Sequence, residues 1–245
     1  MKRKLLIIFT VIIAVSAVSC RSNLSRNACV RFSLDGNMAI TDAVKSTLSD
    51  FTVVPTPDDF TLCVKDATGG KIWEGKYPEW RESNILPAGN YVVSASYGSK
   101  DVEGRDCPCL EGSANFALNG GDQLTVPVTV SLANAIVRLS VTDAFRKYYP
   151  EYTVNITTGG GTLFSFNEQT QPYSIFMDPF KFSLEGTLKS QGGVSSDIPA
   201  KEYASIQKAT CYILTMDASN VGGSVISISF NDEVDTVDLG EINLN

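Results

Sequence analysis

Apolar and polar residues alternate along most of this chain. Val30-Arg31-Phe32-Ser33-Leu34 has the period of two that a half-buried strand requires. The same alternation runs through Phe60-Thr61-Leu62-Cys63-Val64-Lys65, through residues 91–97, and through residues 124–132. Turn signals part these runs: Gly69-Gly70, Pro87-Ala88-Gly89-Asn90 and Gly120-Gly121-Asp122. In the Pro87 turn, proline presets φ and Gly89 is suited to a positive φ.

The second half repeats this style. Ile136-Val137-Arg138-Leu139-Ser140-Val141 reads as a strand, as do residues 152–157, 163–166, 180–188, 210–216, 225–230 and 234–242. Residues 143–149 predict a short helix ended by Pro150, and residues 41–50 a helical turn or a loop. No long amphipathic helix is present. Many short strands with frequent turns predict an all-β chain of two tandem β-sandwich domains, residues 28–133 and 134–245. Two pairs of segments recur in the same order: residues 30–34 match 137–141, and residues 60–64 match 152–156. No Pro/Ser-rich linker separates the halves, so a nearly continuous strand path across Asn134 is expected. Val30, Leu62, Val93, Val137, Val154 and Leu184 should be buried, each being an apolar member of an alternating strand.

The N-terminus departs from this pattern. Met1-Lys2-Arg3-Lys4 is cationic, and residues 5–18 are apolar except for Thr10 and Ser16. That run is short for a bilayer span and ends in small residues, so residues 1–19 read as a signal peptide. Ala17-Val18-Ser19-Cys20 resembles a lipobox in which Ala17 replaces the usual leucine. Cleavage before Cys20 with acylation of its thiol would leave residues 20–27 as a lipidated tether. The expected location is the outer membrane, on its surface or its periplasmic face.

Removing the leader with Lys2, Arg3 and Lys4 leaves 17 basic against 27 acidic residues, a net charge of −10. That balance disfavours nucleic acid. The chain has no histidine, which excludes Ser-His-Asp, Cys-His and HExxH chemistry. Carboxylate-pair and Ser-Lys chemistry stay open, but no nucleophile–base pair is recognisable. No catalytic residue, metal site or cofactor is assigned. Beyond Cys20 stand Cys29, Cys63, Cys107, Cys109 and Cys211, an odd number. Cys107-Pro108-Cys109 is too tight for a disulfide and lacks a second close pair for zinc. Cys63 and Cys211 fall in strand-like runs as small apolar residues.

Trp73, Tyr77 and Trp80 lie close together on an expected hairpin and are the candidate ligand-binding residues, since exposed aromatics stack on sugar rings. Half-buried packing is the competing reading. Asp232, Glu233, Asp235, Asp238 and Glu241 match no Ca²⁺ loop and read as a solvated strand face. Gly159-Gly160-Gly161 is followed by no helix or Lys-Ser/Thr and cradles no phosphate. Asp235-Thr236-Val237 resembles a short bacterial O-glycosylation motif.

Asp59-Phe60-Thr61-Leu62, Gly70-Lys71-Ile72-Trp73, Ile85-Leu86-Pro87-Ala88-Gly89-Asn90-Tyr91-Val92-Val93-Ser94-Ala95 and the CPCLEGSANF stretch ending at Phe116 resemble a Bacteroidetes lipoprotein family of uncharacterised function. The match continues through residues 132–137 and 145–149 and covers residues 50–220. That family is similar to fimbrillin-type and fimbrial-anchor lipoproteins. The resemblance implies tandem sandwiches of transthyretin-like, fimbrillin-like topology and supplies no catalytic residues. This chain departs from it by flanking Pro108 with cysteines and by lacking an acidic run after Cys20. The functional expectation is a non-enzymatic, membrane-anchored envelope module, adhesive or fimbria-associated, with fimbrial or other envelope β-sandwich proteins as partners. The alternative is a glycan-binding surface lipoprotein.

Overall fold

A computed structural model of the protein describes residues 27–34, 55–80, 84–170, 174–220, 223–230 and 242–244. The expected leader 1–19, Cys20 and the expected tether as far as residue 26, residues 41–50, the acidic residues from Asp232 to Glu241, and Asp235-Thr236-Val237 lie outside the described residues.

The chain is all-β and folds as tandem β-sandwich domains. The first is built from β1 (Asn27–Ser33), β2 (Thr61–Asp66), β3 (Lys71–Lys76), β4 (Ile85–Pro87), β5 (Gly89–Tyr97), β6 (Leu110–Leu118), β7 (Gln123–Pro127) and β8 (Val130–Leu132). One sheet has the order β4-β1-β7, the other β3-β2-β5-β6-β8. Val30, Phe32, Leu86 and Val126 of the first sheet pack on Leu62, Val64, Val93 and Leu118 of the second in one core.

The second sandwich comprises β9 (Ala135–Val141), β10 (Glu151–Thr158), β11 (Leu163–Phe166), β12 (Ser174–Met177), β13 (Lys181–Lys189), β14 (Ser195–Ala204), β15 (Cys211–Asn220), β16 (Gly223–Phe230) and β17 (Ile242–Leu244). Its sheets run β12-β9-β15-β16-β17 and β11-β10-β13-β14. A short helix, Asp143–Tyr148, follows β9. The Thr142 hydroxyl accepts from Phe145 N at its start, and Phe145 fills the core.

The two sandwiches share one topology. β1 and β9 each pair antiparallel with the fourth strand of their unit and parallel with the seventh. β2 and β10 each pair with the third and fifth strands, and the fifth pairs with the sixth. The matching segments 30–34 and 137–141 therefore occupy equivalent strands, as do 60–64 and 152–156.

Register also fixes which end of the first sandwich is which. Asn27 lies opposite Pro87, and Cys29 opposite Gln123, so β1 begins where β5 and β7 begin. β5 ends at Tyr97 opposite Leu110, and Leu110 lies opposite Leu132. The chain therefore enters at one end and leaves for β9 at the other.

Val30, Leu62, Val93, Val137, Val154 and Leu184 are all 0% exposed. Three local readings differ from the structure. Residues 124–132 are two strands, because the chain leaves β1 at Pro127 and joins β6 at Val130. Gly89 is not among the positive-φ glycines. A Cβ there would meet the Tyr91 ring at 3.4 Å, and the Tyr91 hydroxyl, donating to Pro87 O at 2.9 Å, pins the turn instead. Trp73, Tyr77 and Trp80 are not on one hairpin: Trp73 is in β3, and the other two sit on a helical turn, Tyr77–Trp80.

Candidate functional site

β4 pairs with β1 only over Asn27, Ala28 and Cys29. Backbone groups of Val30 and Phe32 on that side of β1 lie beyond its end. Val30 N donates to Asn84 O at 2.8 Å. The carbonyls of Val30 and Phe32 are taken by side chains: Trp80 Nε1 donates to Val30 O at 3.1 Å, and the Tyr77 hydroxyl to Phe32 O at 2.9 Å. A buried carbonyl without a partner costs about 1–3 kcal/mol, so these donors replace a strand that stops short.

The rings follow the same logic. Trp80 is 2% exposed, with its ring centroid 5.0 Å from Phe32 and 5.1 Å from Trp73. Trp73 and Tyr77 are half-buried against the same core. The structure thus brings the three aromatic candidates together, with Trp80 inside the core and its polar atom committed to β1. On its other side β1 runs parallel to β7. Gly121 N donates to Asn27 O at 3.0 Å, Cys29 N to Asp122 O at 2.8 Å, and Val128 N to Ser33 O at 2.9 Å.

A second cluster lies at the exit end, where residues 98–109 reach across to the second sandwich. Gly104 and Phe176 exchange both backbone hydrogen bonds, at 3.0 and 2.8 Å. The Glu103 carboxylate accepts from Asp178 N at 3.1 Å and from the Thr158 hydroxyl. Asn134, 0% exposed, accepts from Cys109 N on its side chain and from Ala209 N on its carbonyl, the latter at 2.8 Å. Ile136, Phe176 and Cys211 belong to the first sandwich's core although they lie in strands of the second. Sequence reasoning marked the Asn134 junction but missed Glu103 and Gly104, whose partners lie far away in the chain.

Among the described residues Cys29, Cys63, Cys107, Cys109 and Cys211 form no disulfide. Burial, followed by the neighbouring Glu111 carboxylate, pushes the Cys109 thiol up to about 11, so it is protonated at neutral pH and a poor nucleophile. Burial also pushes the Tyr203 phenol up to about 12, and its hydroxyl has no hydrogen-bond partner among the described residues. Among the described residues no three His, Cys, Asp or Glu side chains converge to hold a metal ion, and no helix is long and apolar enough to cross a membrane. An open cleft of about 530 Å³ on the second sandwich is lined by Thr153, Thr187, Ser195, Asn167 and Gln169. On its rim Lys189 pairs with Glu151 at 2.8 Å and Glu168 with Arg146 at 3.2 Å, and Asp197 adds a further carboxylate.

Residues 29–243 match the model of a domain of unknown function, DUF4493. No curated protein matches the chain. Solved structures of similar architecture include a fimbrial assembly protein from Parabacteroides distasonis, 13% identical, with a TM-score of 0.49 over 86% of this chain and 98% of that one. A presumptive cell adhesion protein from Bacteroides uniformis is 10% identical, with a TM-score of 0.48 over 85% of this chain and 99% of that one. A presumptive polysaccharide-binding protein from Bacteroides thetaiotaomicron is 16% identical, with a TM-score of 0.44 over 86% and 98%.

Proposed function

We propose that this chain, which belongs to the DUF4493 family, is a non-enzymatic cell-envelope module, tethered to the outer membrane by lipid on Cys20 and acting in adhesion or fimbrial assembly. The observation that carries this reading is the polarity of the first sandwich. The segment after Cys20 enters β1 at one end, and the chain leaves for the second sandwich at the other. Lipid at Cys20 would hold the entry end at a membrane and leave the second sandwich, residues 134–245 in this division, as the part free to meet a partner.

That second sandwich offers an edge for such contact. β14 is the outer strand of its sheet, ten residues long and mostly exposed. Unpaired N–H and C=O groups on an edge strand accept a strand from another protein without special side chains. The absence of histidine in the sequence and the buried, protonated Cys109 thiol support a binding role over chemistry.

The test is a pull-down from envelope extracts with the lipidated chain as bait. Recovery of fimbrillin-like or other β-sandwich envelope subunits is expected, and it should weaken when β14 is altered, for instance by Ala200→Pro. Recovery of polysaccharide-uptake proteins alone, with glycan binding lost in Trp80→Ala but not in a variant of comparable stability, would replace this reading with glycan binding.

A further inference from the structure

We infer that β1 is a mechanical clamp that carries the pull between the anchor and the second sandwich in shear. The inference rests on the anchored reading above and adds how the tether withstands load.

The geometry follows from register alone. Tension at Cys20 would pull β1 from its N-terminal end, while the body of the first sandwich is held at its opposite end. There Leu132 leads into Ala135, and Glu103 and Gly104 grip Thr158, Phe176 and Asp178. β1 is parallel to β7 over five register pairs, from Cys29 opposite Gln123 to Ser33 opposite Pro127. The load enters at the start of β1, and β7 hands it on from its far end at Val128. Tension then acts along the strand axis. The bonds from Asn27, Cys29 and Ser33 to the β7 side must fail together and not one after another.

The other edge of β1 is held as well. β4 grips its first half, and Asn84, Trp80 and Tyr77 grip Val30 and Phe32. Ala28, Val30 and Phe32 are buried in the core, so sliding β1 out would also expose their side chains. The second sandwich repeats the arrangement: β9 receives the pull at its start and runs parallel to β15, from Ile136 opposite Cys211 to Val141 opposite Met216.

Single-molecule pulling on the mature chain without lipid tests this. One handle is an N-terminal tag before residue 21. The other is a click-chemistry side chain at Thr129 or at Gln123, both exposed. Pulling through Thr129 shears β1 against β7. Pulling through Gln123 separates two strands at the end where both begin, and so peels them. The rupture force through Thr129 is expected to be several times that through Gln123, and to fall in Trp80→Phe. Equal forces at the two handles, or a larger force through Gln123, would overturn the clamp. Neither handle needs lipid, so the clamp can fail while the anchor stands, and the anchor can fail while the clamp stands.

Discussion

Trp80→Phe isolates what holds β1. The substitution removes the indole N–H that serves Val30 O and keeps an aromatic ring beside Phe32 and Trp73. Stranding that carbonyl costs about 1–3 kcal/mol. The smaller ring gives up apolar contact worth about 1 kcal/mol, at about 25 cal/mol per Å². The expected loss is therefore about 2–4 kcal/mol, a large share of a domain stability on the order of 5–15 kcal/mol. Tyr77→Phe is the graded control. Its hydroxyl also serves β1, through Phe32 O, but at a part-buried place where water can substitute, so about 0.5–1.5 kcal/mol is expected. Urea unfolding of the chain from residue 21, followed by far-UV circular dichroism, measures both. Hydrogen exchange adds a local readout, since protection should fall first along β1. A Trp80→Phe loss below about 0.5 kcal/mol, or one smaller than that of Tyr77→Phe, would refute the idea that these donors replace a missing strand.

Three further outcomes follow from other residues. Tyr203→Phe should leave stability unchanged or raise it by about 1 kcal/mol, because it removes a buried hydroxyl with no hydrogen-bond partner among the described residues; a clear loss in thermal melts would mean the hydroxyl is satisfied. Cys109 should resist iodoacetamide at pH 8 in the folded protein, since a thiol pushed up to about 11 has little thiolate there, and should react once the chain is unfolded; rapid native labelling by mass spectrometry would contradict this. Glu103→Ala should cost about 1–3 kcal/mol and separate the unfolding of the two sandwiches, because it removes the bonds to Thr158 and Asp178. A single unshifted transition in calorimetry would show that Glu103 does not couple them.

Strands with regular alternation were legible from the sequence because each buries one face. The strands that escaped notice lack that signal for identifiable reasons. β6 carries Gly112, Ser113 and Ala114 in its middle. A side chain at Gly112 would meet Thr129 O at 2.1 Å, where the chain crosses from β7 to β8, so the position is small by necessity. β14 is a polar edge that buries only Ile198 and Tyr203 and contains Pro199. β12 is buried on both faces, because Ile175 and Met177 join the second sandwich's core and Phe176 the first's, and no alternation survives. The aromatic cluster was legible as residues but not in its task. Its acceptors lie on β1, 45 and 50 positions away in sequence, and only folding brings them together. The repeat of residues 30–34 at 137–141 and of 60–64 at 152–156 pointed to two copies of one unit, but the pairing of strands within each copy is not written in single-strand patterns.

If lipid on Cys20 anchors this protein in the envelope, Cys20→Ala in the native host must release it. Wild-type protein should fractionate with the outer membrane and have the mass of a chain beginning at an acylated Cys20, while the variant should be released from that fraction and carry no lipid. A variant that still fractionates with the outer membrane, or wild-type protein whose mature N-terminus is an unmodified residue, would contradict it.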